Sequence, residues 1–406
     1  MNLKDRLRQQ VLNKIDITRE LDDEEIRQLI RNEVIELGKE KMIPLEEKFS
    51  LEREVFNSLR KFDILQDLLD DDEISEIMIN GWKNIFIEKN GKIKKCDLSF
   101  SSEEKLYDII QQMVSLNNRM VNESSPIVDT KLPDGSRVNV ILSPISLNNS
   151  TVTIRKFPKE RINMKMLIEK QTLSEEVAEF LKKLVQSGYN IFISGPTSSG
   201  KTTFLNALTD YIPKSERVVT IEDSAELQVN GVENLVRLES RNATLEGKLE
   251  VKIRDLVKAA LRIRPDRIIV GECRGAEALD MLQALNTGHD GTLSTGHGNS
   301  SKDMISRLET MVLMADDVAL PIEAIDKQIA SGIDIFIHLS RINKSQRKLM
   351  EVNEVLGYEN GEVKLGKLFI YESKEGKDVW RKVGALKHTE KLENYFNENS
   401  MDTRSE

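Results

Sequence analysis

Cysteine is almost absent from this chain: Cys96 and Cys273 are the two in 406 residues, and they stand far apart. That excludes a disulfide framework and predicts a reducing compartment. Basic residues are outnumbered, 59 Lys and Arg against 68 Asp and Glu, so a net charge of −9 offers no general field for nucleic acid. Aromatic residues make up 5%, and no basic, aromatic-interleaved groove is legible. No apolar run approaches the roughly 18–20 residues that a membrane span needs. The opening Met-Asn-Leu-Lys-Asp-Arg-Leu lacks the apolar core of a signal peptide. The expectation is a cytoplasmic protein without direct nucleic-acid contact. What remains, 39% hydrophobic and 31% charged residues, suits two or three folded domains at ~100–200 residues each.

The periodicity divides the chain. Residues 1–57 carry apolar positions at helical spacing among charges (Leu3, Leu7, Val11; then Ile26, Ile30, Val34, Leu37) and read as a small helical segment with solvated faces. Residues 58–160 change to short strands around one helix, with Asn90-Gly91 as a hairpin turn. A linker is expected at Lys159–Met166. From 165 to 345, apolar strands alternate with helices, predicting an α/β, RecA-like domain on a mainly parallel sheet. A C-terminal extension, 346–406, holds strand-like runs and a polar tail, Asn397–Glu406, expected to fray.

The strongest signal lies in the third block. Gly195-Pro196-Thr197-Ser198-Ser199-Gly200-Lys201-Thr202-Thr203 contains G-x-x-x-x-G-K-T, preceded by the apolar run Ile191–Ile193 and followed by Phe204, Leu205 and Leu208 at helical spacing. A strand, a glycine-bearing loop and a helix start make a phosphate cradle of inward N–H groups. Lys201 reaches the β and γ phosphates and the Thr202 hydroxyl is placed for Mg²⁺. The expected ligand is ATP with Mg²⁺.

In parallel sheets, ligands lie beyond the C-terminal strand ends, so polar residues after apolar runs are the candidates. Glu222 and Asp223 follow Val218–Ile221, Glu272 follows Ile268–Gly271, and His297 follows Thr292–Gly296. An acid there can orient and deprotonate the attacking water or help to hold the metal. The Asp usual at the Walker-B strand end is missing before Glu272, which makes Glu222 with Asp223 the expected substitute for the metal. His289 and His297 fall close together in Gly- and Thr-rich sequence. With no further Cys or His near them they do not complete a metal set, and a neutral γ-phosphate sensor is the better reading. Arg137 and Arg155 fall on the polar faces of two strands in the second block, opposite Val138 and Val140 and opposite Val152 and Ile154. From there they qualify as arginine fingers acting across a domain or subunit boundary.

Four stretches in one order carry a family resemblance: Gly195–Thr202, Thr220–Leu227, Leu261–Gly275 and Thr287–Ser300. They resemble the Walker A, Asp box, atypical Walker B and His box of the type II/IV secretion ATPase superfamily. Asn286–Gly291 and Gln328–Ser331 look like its CpaF branch, which assembles Flp (tight-adherence) pili. Ile74–Gly91, Pro133–Arg137 and Thr153–Pro158 are similar to that branch's N-terminal, PAS-like domain. The resemblance covers about residues 60 to 360. It implies a homo-hexameric cytoplasmic ATPase at the inner face of the membrane, acting on platform proteins of a pilus or secretion system. Glu272 would be the general base, Glu222 and Asp223 would serve metal and water, and Arg137 and Arg155 would contact phosphates. Two departures are the presence of Cys273 where an aliphatic residue is usual and of Gly298 where Ala is common. The alternatives that the residues leave are a nucleic-acid-translocating RecA-like ATPase and a nucleotide-binding scaffold that does not hydrolyse.

Overall fold

Burial along the chain of the computed structural model follows the two periods read above. It describes residues 3–16, 18–19, 21–40, 42–157, 161–241, 250–315, 320–343, 346–374 and 377–402. The chain divides into two compact units, Met1–Lys159 and Glu160–Glu406.

The first unit opens with helices Leu3–Lys14, Asp23–Glu40 and Leu45–Arg60, whose apolar stripes close on Leu7, Val11, Ile30, Val34, Val55 and Phe56. Six antiparallel strands follow: β1 (Ile74–Asn80), β2 (Ile85–Lys89), β3 (Lys92–Lys95), β4 (Ile127–Lys131), β5 (Arg137–Ile141) and β6 (Thr151–Arg155), in the order β3-β2-β1-β6-β5-β4. Asn90 and Gly91, at φ +53° and +73°, form the two-residue turn from β2 to β3. Helix Glu103–Ser115, capped by Ser102, lays Leu106, Ile109, Ile110 and Met113 on the face formed by Val138, Val140, Val152 and Ile154. The opposite face keeps Arg137 and Arg155.

The second unit is built on nine strands: β7 (Ile191–Ser194), β8 (Val218–Glu222), β9 (Leu235–Glu239), β10 (Arg267–Cys273), β11 (Leu293–Gly296), β12 (Ile335–Arg341), β13 (Arg347–Glu359), β14 (Glu362–Lys374) and β15 (Lys377–Lys382). Their order is β15-β14-β13-β12-β7-β11-β10-β8-β9. The six strands from β12 to β9 are parallel, and β13, β14 and β15 add antiparallel. Helices cover both faces, so β7 is buried throughout: Ile191 and Ile193 enter one core and Phe192 the other.

Residues 159–160 of the expected linker lie outside the described residues, and helix Met164–Glu169 already occupies its last positions. β13–β15 fall in the stretch read as a C-terminal extension, yet they hydrogen-bond onto β12 and continue the same sheet. The tail differs from the expectation as well. Helix Glu390–Asp402 runs through its first residues, and residues 403–406 lie outside the described ones.

Candidate functional site

The loop between β7 and helix Lys201–Thr209 is shaped by two residues at positive φ, Ser198 at +62° and Gly200 at +92°. A Cβ on Gly195 would lie 2.5 Å from Ser199 Oγ and 2.6 Å from Leu339 O, so only glycine lets the chain leave β7 here. The loop is laced to the His297 loop: Gly195 N donates to Gly296 O (3.3 Å) and Gly298 N to Gly195 O (3.4 Å). Lys201 is 7% exposed. Its Nζ donates to Gly195 O (3.0 Å) and Pro196 O (3.3 Å), and lies 3.2 Å from His297 Nδ1. Burial lowers its pKa from the ordinary lysine value, and the nearby Glu272 opposes that shift.

These residues fit a nucleotide. The helix beginning at Lys201 has no side-chain cap, and the buried Ser199 hydroxyl has no hydrogen-bond partner. Amide N–H groups and a hydroxyl therefore await an acceptor. Among the described residues no cluster of His, Cys, Asp and Glu forms a metal site by itself. A divalent ion would rest on the Thr202 hydroxyl and the phosphates that arrive with it, the arrangement Mg²⁺ favours.

Glu272, His297, Asp223 and Lys201 converge. Val270 pairs with Ile221, so β10 and β8 end together and carry Glu272 and Asp223 to one edge. His297 Nε2 is 2.7 Å from Glu272 Oε1, although that oxygen is buried without a well-aligned hydrogen bond. Burial, then the charge of Lys201, hold the His297 pKa below the ordinary histidine value, so its ring is neutral at pH 7.

Glu222 does something different from what its position in sequence predicts. Its Oε2 accepts from the N–H groups of Glu226 (2.5 Å) and Leu227 (2.8 Å), fixing the loop after β8. A Cβ on Gly271 would meet Glu222 Cγ at 3.0 Å, so Glu222 fills the space beside the strand end that lacks the usual Asp. Burial raises its pKa. Asp223 is the more accessible of the two, accepting from Ser240 Oγ (2.8 Å). Cys273 turns away into the core, where burial pushes its thiol pKa well up.

His289 does not join. It precedes β11 whereas His297 follows it, and a four-residue strand sets their backbones roughly 13 Å apart. Its loop lies at the start of β7: His289 O accepts from Thr292 Oγ1 (3.0 Å), and Thr292 N donates to Asn190 Oδ1 (3.0 Å). A phosphate sensor at His289 is therefore corrected to a loop residue at the opposite end of the sheet. Arg137 and Arg155 belong to the first unit, where they are direct register partners across β5 and β6.

Three residues went unread in the sequence. Arg274 Nη2 binds Glu272 Oε2 (2.6 Å), and Arg347 Nε donates to Ser198 O (2.9 Å). His338, buried in β12, is in register with Ser194 and lies 2.9 Å from its hydroxyl. Only His338, a polar break in an apolar run, left any local mark.

A P-loop on the central strand of a mainly parallel sheet, with an acidic strand end beside it, is a RecA-like nucleotide-binding architecture. The chain belongs to the family described as Type II/IV secretion system protein, which it matches over residues 58–404. The conjugal transfer protein TrbB of Rhizobium radiobacter is 32% identical over 298 residues, 72% of this chain and 87% of that protein. An uncharacterized protein of Methanocaldococcus jannaschii is 38% identical over 252 residues, 60% of this chain but 35% of that relative's own length. The X-ray structure of the Legionella pneumophila ATPase DotB shares the fold, with a TM-score of 0.53 and 24% identity over 73% of this chain and 80% of that one. Among the described residues no helix is long and apolar enough to cross a membrane.

Proposed function

We propose that this chain is an ATP-hydrolysing motor of CpaF type. It works as a cytoplasmic homo-hexamer on inner-membrane platform proteins and drives pilus assembly or secretion. The observation that carries hydrolysis is the meeting of Lys201 and Glu272 at the two nitrogens of His297, which joins a phosphate-binding lysine to a candidate base. Family membership and the relatives' names support the secretion setting, and the Asn286–Gly291 and Gln328–Ser331 stretches support the branch.

Lys201 and the amides of Gly200–Thr203 bind and orient the phosphates. Glu272 Oε1 takes a proton from the water that attacks the terminal phosphorus, and neutral His297 reports whether that phosphate is in place. Thr202 would hold Mg²⁺ together with the phosphates, and the ion when bound would supply neutralisation of phosphate charge. Arg137 and Arg155 contribute further positive charge.

The test is turnover beside binding. Lys201→Ala is expected to lose ATP binding and hydrolysis together. Glu272→Gln should bind ATP normally and turn it over about 10²-fold more slowly. Hydrolysis at the wild-type rate by Lys201→Ala would sink the phosphate-loop reading, and the same result for Glu272→Gln would remove Glu272 as the base. A wild-type chain that binds ATP without turnover would leave a nucleotide-binding scaffold.

A further inference from the structure

Glu272 has two carboxylate oxygens in different situations. Oε2 is held by Arg274 Nη2 at 2.6 Å. Oε1 is buried, has no aligned hydrogen bond, and faces His297 Nε2 at 2.7 Å, while Lys201 Nζ meets the other nitrogen of the same ring, Nδ1, at 3.2 Å. One oxygen is anchored and the other is left to accept a proton.

The anchor is itself fixed at its base. The backbone N–H groups of Arg274 and Gly275 donate to Glu277 Oε1, at 2.6 and 2.9 Å, so the turn that follows β10 is tied to the helix starting at Glu277. From that turn the guanidinium reaches back over the strand ends, and its Nη1 comes within 3.7 Å of Asp223 Oδ2. Arg274 therefore spans the ends of β10 and β8. A planar fork with separate donors can do this, whereas the point charge of a lysine would serve one carboxylate at a time.

We propose that Arg274 is a positioning residue for hydrolysis: it pins Glu272 Oε2 so that Oε1 faces the phosphate pocket, and it holds Asp223 in register with that geometry. This rests on the reading of Glu272 as the base. Without Arg274, Glu272 can turn its carboxylate away. A misplacement of about 1 Å in a reacting group typically costs on the order of 10²-fold in rate. Nucleotide contacts made by the loop at Gly195–Thr203 do not pass through Arg274, so affinity should be spared.

The experiment measures steady-state ATP hydrolysis and ATP affinity in the full chain, for Arg274→Ala, Arg274→Lys, Glu272→Gln and the Arg274→Ala/Glu272→Gln pair. The expected result is a fall in kcat of about tenfold to 10²-fold for Arg274→Ala, with KM for ATP moving less than about threefold. Arg274→Lys should recover part of the loss. In the Glu272→Gln background the same Ala change should cost less than about threefold, because the residue it positions is already disabled.

Three outcomes would overturn the proposal: an Arg274→Ala kcat within threefold of wild type, a loss that appears wholly in KM, or a loss of equal size with and without Glu272. Failure of the base reading looks different, since Glu272→Gln would then turn over near the wild-type rate whatever Arg274→Ala does. Should Arg274→Ala not fold, Arg274→Lys carries the test. Its kcat must lie below wild type at unchanged KM, and wild-type kinetics would refute the role of the fork.

Discussion

His297 Nε2 lies 2.7 Å from Glu272 Oε1, and the same ring's Nδ1 lies 3.2 Å from Lys201 Nζ. The imidazole thus stands between the lysine proposed to bind phosphate and the proposed base. Its lowered pKa keeps it neutral at pH 7, so it does not compete with Lys201 for negative charge. His297→Ala is expected to reduce turnover by about 10-fold to 10²-fold, the scale of losing one group that orients reacting atoms. ATP affinity should stay within a few-fold, because Lys201 keeps its place. Wild-type turnover by this variant, measured by phosphate release, would leave His297 a spectator.

Glu222 and Asp223, adjacent in sequence, should separate in experiment. Burial raises the Glu222 pKa above 4.5, so in the folded chain this carboxyl keeps its proton at pH values where the unfolded chain has released it. Folding is penalised progressively as pH rises from about 4.5 through the raised pKa, and fully above it. Glu222→Gln retains an oxygen for the N–H groups of Glu226 and Leu227 without that penalty. Its melting temperature relative to wild type should therefore climb from acid to neutral pH. Asp223→Asn should lower turnover. A Glu222→Gln protein that loses stability at neutral pH would show that the buried charge is needed, as a metal ligand would be.

The phosphate loop was legible because every part of it is local: strand, turn glycines, lysine and helix start fall within Ile191–Leu208. The RecA-like fold class was legible for a related reason, since apolar runs buried on both faces separate cleanly from amphipathic helices. Arg274 and Arg347 left no trace, because an arginine's partner is set by which strand ends lie side by side. Glu272 and Asp223 are neighbours only once β10 pairs with β8. His289 was misplaced by the opposite error: eight positions from His297 in sequence, it is a whole strand away in space. The reach of the sheet into β13–β15 was hidden by bulges, which break strict alternation.

The stretch around His289 has a structural job that a single substitution can expose. Gly291 has φ +72°, and a Cβ added there would fall well inside contact with the Arg267 guanidinium. Arg267 is buried, paired with Glu216, and donates to Val185 O (3.0 Å) and Gln186 O at the end of the helix leading to β7. Gly291→Ala adds left-handed strain of about 1–2 kcal/mol and disturbs a buried ion pair whose disruption costs about 3–5 kcal/mol. A loss of at least about 3 kcal/mol in urea unfolding is expected. A loss under about 1 kcal/mol would mean that Arg267 can move aside freely.

Arg137 and Arg155 pair directly across β5 and β6, on the polar face. Like charges placed opposite one another destabilise a sheet. Glu76, in register with Arg155 on β1, relieves part of this, and its pKa is raised by burial against the pull of Arg155. A paired arrangement that costs stability is the one expected if both guanidinia serve an anion. Removing an arginine finger can slow hydrolysis by ~10³–10⁵-fold, far beyond a surface salt bridge of about 0–1 kcal/mol. Arg137→Ala and Arg155→Ala should each show such a loss at near-normal melting temperature. Mixing Arg155→Ala with Lys201→Ala protein then tells whose nucleotide the arginine serves. If it serves its own subunit, every site in a mixed ring lacks either the arginine or the lysine, and activity stays absent. If it serves a neighbour, some sites join an intact arginine to an intact phosphate loop, and activity returns on mixing. Near-wild-type hydrolysis by both single variants would remove the fingers from the mechanism and leave two solvated strand residues.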